Sequence, residues 1–169
     1  MDGLARINSE EAGAVTTALL ACCDVLAWAK TIVAGRPYAS LADLMAEADA
    51  AARRLSPEEV ERALAAHPRI GERAKGSGTE AGWSRHEQST VSRDEQTQRE
   101  LLDGNRAYEE RFGRVFLICA TGLGGDEILA SLRERLGNDD ATEEAVVAEE
   151  LRKIALLRLR KLLKEGGAP

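Results

Sequence analysis

The chain has 169 residues, 44% of them hydrophobic and only 4% aromatic, which suits one domain with a core of Leu, Ala, Val and Ile. That diet favours helix over sheet, and a net charge of −6 speaks against a generic nucleic-acid binder while leaving room for a small anionic ligand held by local arginines. Three cysteines, two of them adjacent, and two histidines without ligand spacing argue against a disulfide framework and a dedicated zinc site.

No basic segment precedes an apolar run at the N-terminus, and no stretch nears the roughly 18 apolar residues of a membrane span, so a soluble cytoplasmic protein is expected. Asn8-Ser9-Glu10-Glu11 opens an apolar-periodic stretch to about Val33, with a break near Cys22-Cys23-Asp24. Gly35-Arg36-Pro37 ends it, and Ser40 is placed to cap a helix from Leu41 to about Leu55. Ser56-Pro57-Glu58-Glu59 combines a capping box with Pro at the first helical position, and Pro68 should stop that helix at His67.

Residues 68–80 carry Gly, Pro and charge and read as an exposed loop. Ser84 to Val91 reads as one or two helical turns. Ser92-Arg93-Asp94-Glu95 forms a second capping box for a long polar helix to Phe112, closed by Gly113. The apolar run Val115 to Ala120 is too short to fix a helix, and an extended path or a buried turn both remain open. Helices over Asp126–Leu136 and Thr142–Lys164 complete an all-α, single-domain helical bundle over residues 1–169.

Polarity is out of position at three places. His67, before Pro68, has a restricted backbone and an imidazole that titrates near neutrality, as an acid–base catalyst requires. A surface histidine serving the negative end of its helix is the plain alternative. Ser84, Glu87 and Gln88 share a helical face with apolar Val91, so a hydroxyl, a carboxylate and an amide can converge on a polar heterocycle. Otherwise Ser84 is a cap and Glu87 a solvated charge, while Arg85 and His86 fall on other faces and read as surface residues.

Arg158 lands inside the apolar stripe of the last helix, among Val147, Leu151, Ile154, Ala155 and Leu162, whereas Arg160 lies opposite. Arginine keeps its charge when buried, so it wants an anion: Glu87, a substrate carboxylate or a structural acid. A packed stem with its head in water is the other possibility. Cys119 reads as a small hydrophobe, and Trp28, Tyr38 and Trp83 as packing residues.

Taken in order, several segments resemble the family of 2-oxo-4-hydroxy-4-carboxy-5-ureidoimidazoline (OHCU) decarboxylases, which make (S)-allantoin from an intermediate of uric acid breakdown. They are Cys22-Cys23 with Trp28 and Arg36-Pro37-Tyr38-Ala39-Ser40, then Ala66 to Glu72, Ser84-x-x-Glu87-Gln88, Asn105-x-x-Tyr108 leading to Phe112-Gly113, Phe116 to Ala120, and Lys153 to Leu159. The resemblance implies an all-helical homodimer with no metal and no organic cofactor, acting on a small anionic heterocyclic substrate. It places the catalytic pair on His67 and Glu87. Substrate contacts fall on Pro68, Ser84, Gln88, Phe116, Leu117, Ile118, Cys119, Ala120 and Arg158.

One departure is Phe112-Gly113-Arg114-Val115, where family members commonly carry Phe-Gly-Phe-Pro. Arg114 is then either an extra anion contact or a surface residue. Two competing readings remain: a non-catalytic binding or dimerisation module using the Leu-rich last helix, and a related decarboxylase acting on another heterocyclic acid. The enzyme reading expects an imidazole, a carboxylate and a guanidinium from separate helical regions to meet at one small pocket.

Overall fold

Cap chemistry written in the sequence sets most helix boundaries in the computed structural model, which describes residues 2–72, 78–89 and 94–165. Among those residues there are nine α-helices and no strand, so the fold is all-α. The chain divides into two compact units, Met1–Ala63 with Arg152–Pro169, and Leu64–Leu151.

The first unit contains α1 (Gly3–Ser9), α2 (Ala12–Cys22), α3 (Leu26–Ala34), α4 (Leu41–Ala52) and nearly all of α5 (Pro57–Leu64). It also takes the C-terminal part of α9 (Asp140–Glu165). The expected break after Cys22 is present: Cys23 to Val25 run extended between α2 and α3. Ser40 caps α4 by accepting from the Asp43 N–H at 3.1 Å. At α5 the capping box closes both ways, Glu59 N–H to Ser56 Oγ at 3.2 Å and Ser56 N–H to Glu59 Oε2 at 2.8 Å.

α3 packs against α2 and α4, and the buried Trp28 indole donates to the Ala48 carbonyl at 3.0 Å. The Arg36-Pro37-Tyr38 segment is a structural tie. Arg36 donates to the carbonyls of Ile7 and Glu10, and the Tyr38 hydroxyl to that of Ile32 at 2.7 Å. Asn8 exchanges two hydrogen bonds with the Tyr38 backbone. Trp28 and Tyr38 are packing residues, as read from the sequence.

The second unit holds α6 (Thr79–Glu87), α7 (Glu95–Phe112), α8 (Gly125–Leu136) and the start of α9. α7 packs on α8, and Ile70, Leu101, Tyr108, Phe116, Ile118, Ile128 and Leu132 share one apolar cluster. α7 ends as expected at Gly113, whose φ of +70° is the left-handed geometry that glycine adopts without a Cβ penalty. The Val115–Ala120 run takes neither helix nor strand and lies largely buried.

Several boundaries differ from the sequence expectation, α4 among them, which ends at Ala52 rather than about Leu55. α1 was unforeseen, since seven residues are too few to show a period; the Asp2 side chain caps it by accepting from Ala5 N–H at 2.7 Å. α5 stops at Leu64 rather than His67, because Pro68 offers no N–H to the Leu64 carbonyl; the His67 N–H takes that carbonyl at 3.0 Å in a tighter turn. α6 begins at Thr79, inside the stretch read as loop, and buries Ala81 and Trp83. Asp94 caps α7 by accepting from Thr97 N–H, while Ser92 and Val91 lie outside the described residues.

Beneath the buried run 115–120 sits an ion pair. Arg135 Nε and Nη2 donate to Glu143 Oε1 at 2.8 and 2.6 Å, and Nη1 donates to the Leu117 carbonyl at 2.6 Å. The Tyr108 hydroxyl donates to the same Oε1 at 2.5 Å, and Asn138 to Oε2 at 3.0 Å. The guanidinium also lies 4.5 Å from the Phe116 ring centre. Burial pushes the Glu143 carboxyl up, but the bonds from Arg135, Tyr108 and Asn138 outweigh it and hold the group below the usual carboxylate range.

Replacing Arg135 by Met strands a carboxylate that is 1% exposed, so urea unfolding should show a loss of about 3–5 kcal/mol at neutral pH. A carboxyl depressed in the folded state stabilises fully above its unfolded pKa and loses that stabilisation as pH falls through the folded value. The gap between wild type and Arg135→Met should therefore be widest at neutral pH and narrow in acid; a gap independent of pH would remove the ion pair as its cause.

Candidate active site

Two stretches of the second unit face each other across a cavity of about 310 Å³. Ala65, Ala66, His67 and Pro68, from the turn after α5, form one wall; Glu80, Ala81 and Ser84, from α6, form the other. Such a volume is at the small end of ligand sites, whose usual range is about 300–1,000 Å³. His67 is half-buried and Ser84 is 4% exposed.

Ser84 lies inside α6 rather than at its start, and Glu87, one helical step on, is 8% exposed. The cap and solvated-charge alternatives for these two residues therefore do not hold. His86 is exposed, as expected. Gln88 ends α6, and its Oε1 accepts from the Gly71 N–H at 3.0 Å, so this amide reaches back to the loop that carries His67. Sequence reading missed Glu80. It stands four residues before Ser84 on the same helical face, a relation visible only once α6 is known to begin at Thr79.

Of the apolar run, Phe116, Leu117, Ile118 and Ala120 are buried and Cys119 is half-buried. Two of its polar backbone groups are engaged inside the protein: the Leu117 carbonyl by Arg135 and the Cys119 N–H by Glu150 Oε2 at 2.8 Å. Arg114 pairs with Glu144 at 3.6 Å with its side chain 17% exposed. Among the described residues no three His, Cys, Asp or Glu side chains converge as a metal ion would require. No described helix is long and apolar enough to cross a membrane.

Arg158 belongs to the first unit and is 2% exposed, so its head does not reach solvent. Arg160 is exposed, as the helical period requires. Burial pushes the Cys22 and Cys23 thiols up to about 12, even though the Arg158 charge pulls both down.

Residues 8–160 match the family model described as OHCU decarboxylase. The chain belongs to the OHCU decarboxylase family. The match runs through residues of both units, including every segment that carried the resemblance from Arg36 to Leu159. A 2-oxo-4-hydroxy-4-carboxy-5-ureidoimidazoline decarboxylase of Amia calva is 35% identical over 151 residues, 84% of this chain and 82% of that protein. The uric acid degradation bifunctional protein of Bacillus sp. strain TB-90 is 30% identical over 132 residues; these are 78% of this chain but 26% of that longer protein. A crystal structure of an OHCU decarboxylase in the presence of (S)-allantoin superposes with a TM-score of 0.74 at 27% identity, covering 91% of this chain and 99% of that one.

The thiol chemistry is directly checkable in this family member. At pH 8, Cys22 and Cys23 should resist a thiol-specific reagent until denaturant is added, because both are buried and held as thiols. Peptide mapping that finds either one labelled in the native protein would contradict this burial.

Proposed function

We propose that this protein removes carbon dioxide from OHCU to give (S)-allantoin in uric acid breakdown, using His67 and Glu87 and no cofactor. The observation that carries the reading is the cavity in which His67 and Pro68 face Ser84, in a chain belonging to this family. A binding or dimerisation module has no need to bury Ser84 and Glu87 on the helix that walls such a cavity.

The substrate activates itself. Its carboxylate sits on a carbon that bears a hydroxyl and adjoins a C=N bond. When the carbon–carboxylate bond breaks, its electron pair forms a C=C bond and the C=N electrons move to nitrogen, which takes a proton. The hydroxyl proton then leaves, and the neighbouring carbon is protonated on one face, giving a carbonyl and one enantiomer. His67 is the base and acid of these transfers. Glu87 orients it or accepts from the ureido and ring N–H groups, and Pro68, Ser84, Gln88 and the segment Phe116 to Ala120 fix the ring. In a reaction whose substrate breaks down unaided, stereocontrol matters as much as rate.

The same reading makes the chain one domain over residues 1–169, a cytoplasmic homodimer, with Arg158 recognising the substrate carboxylate. Its support is the family match over residues 8–160 together with the resemblance of Lys153 to Leu159.

Freshly generated OHCU, followed by the circular dichroism of the allantoin formed, provides the assay. His67→Ala should lose about 10²–10⁴-fold in rate and yield product of no optical activity above background while keeping its helical spectrum. Turnover at the wild-type rate would take His67 out of the mechanism. Arg158→Met should raise KM for the anionic substrate more than it lowers kcat, and an unchanged KM would leave the arginine a purely structural role.

A further inference from the structure

The loop that presents His67 is anchored by one peptide group. Its carbonyl, that of Ile70, accepts from Asn105 Nδ2 at 2.9 Å in a buried bond. Its N–H, that of Gly71, donates to Gln88 Oε1 at 3.0 Å. Both polar atoms of the 70–71 peptide are therefore taken by side-chain amides, one from α7 and one from the end of α6. Gly71 has a φ of +90°, a conformation that only glycine adopts freely, so the peptide is turned to meet both partners.

We propose that Asn105 is a positioning residue for the decarboxylation: with Gln88 it clamps the Ile70–Gly71 peptide and thereby fixes the direction of the His67 imidazole. The inference rests on the reading of His67 as the proton-transfer group. Between His67 and the clamp the chain has little slack. The His67 N–H is tied to the Leu64 carbonyl, Pro68 has a fixed φ, and the Ile70 side chain is sunk in the apolar cluster. Arg69 also spans loop and α7 through a two-bond pair with Glu109, which steadies the same loop at the surface while the clamp holds its buried side.

Asn105 is 3% exposed, and among the described residues its Oδ1 accepts no hydrogen bond. Leaving a buried acceptor unpaired is costly, so packing alone favours a hydrocarbon side chain at this place. What the amide adds is the donor to Ile70. A loop that carries the reacting group gains from that donor, since small misplacement of such a group costs catalysis disproportionately.

Asn105→Leu keeps the volume and removes the donor, and Asn105→Ala serves if the branched chain does not fit. Two readouts decide. The Gly71 amide should exchange with solvent about 10-fold faster, because the clamp opens locally. With fresh OHCU, kcat should fall about 10- to 100-fold while KM changes little, and the same substitution placed in His67→Ala should add almost nothing. Unchanged Gly71 exchange, or a loss that multiplies in full on His67→Ala, overturns the proposal. A wild-type protein that fails to speed allantoin formation defeats the decarboxylase reading instead. The clamp is then judged by Gly71 exchange and the His67 ring resonances alone: their movement supports it, and their silence ends it.

Discussion

In the second unit, α7, α8, the start of α9 and the 115–120 run meet around a guanidinium and a carboxylate placed out of water. Arg135 and Glu143 stand eight residues apart on either side of the α8–α9 turn, and each on its own is prohibitively costly to bury. The cost is offset because nearly every polar valence finds a partner. Glu143 accepts from Arg135, Tyr108 and Asn138, and Arg135 reaches past the carboxylate to the Leu117 carbonyl while its face covers Phe116. The Tyr108 phenol is pushed up by burial and by the adjacent carboxylate, so it stays a donor. A segment with no ladder of its own is in this way given a fixed path through an apolar core.

Irregular backbone enters the interior of the second unit at two places, and each time side chains do what helix bonds do elsewhere. The 115–120 run leans on Arg135 and Glu150; the 65–72 loop leans on Asn105 and Gln88. Buried backbone groups must be paired somewhere, so a loop that enters the interior brings its partners with it. Helices supply rigid footing for those partners. α6 carries Ser84 and Glu87 and is capped by Gln88, and α7 carries Asn105 and Tyr108 three residues apart.

What the letters disclosed follows the range over which each cause acts. Caps act over three or four residues, so Ser40 and the Ser56–Glu59 box were legible and correctly placed. Periodicity acts over two turns or more, which was enough to see Arg158 inside an apolar stripe and too coarse to see α1. The start of α6 was hidden because Gly and Pro before it spoke of a loop, while the burial of Trp83 and Ala81 that favours helix there is tertiary. Arg135 and Glu143 each had an innocent local explanation, a base in a last turn and an acid in a first. Only a fold that brings Tyr108 to Glu143, 35 residues away, shows otherwise.

The difference between the two supports has chemical sense. Under the 115–120 run the partners are ions, and strong charge-assisted bonds fix a stretch of main chain. Behind His67 the partners are neutral carboxamides. A charged side chain buried against that loop would shift the imidazole's proton affinity along with its position, whereas an amide directs the backbone with a dipole and adds no net charge of its own. In the proposed mechanism the imidazole must hold a proton at one step and lack it at another, and neutral supports leave its charge balance to Glu80 of the cavity wall, to Glu87 and to the arriving substrate. Asn105 and Gln88 meet that need where Asp, Glu, Lys or Arg of similar reach would not.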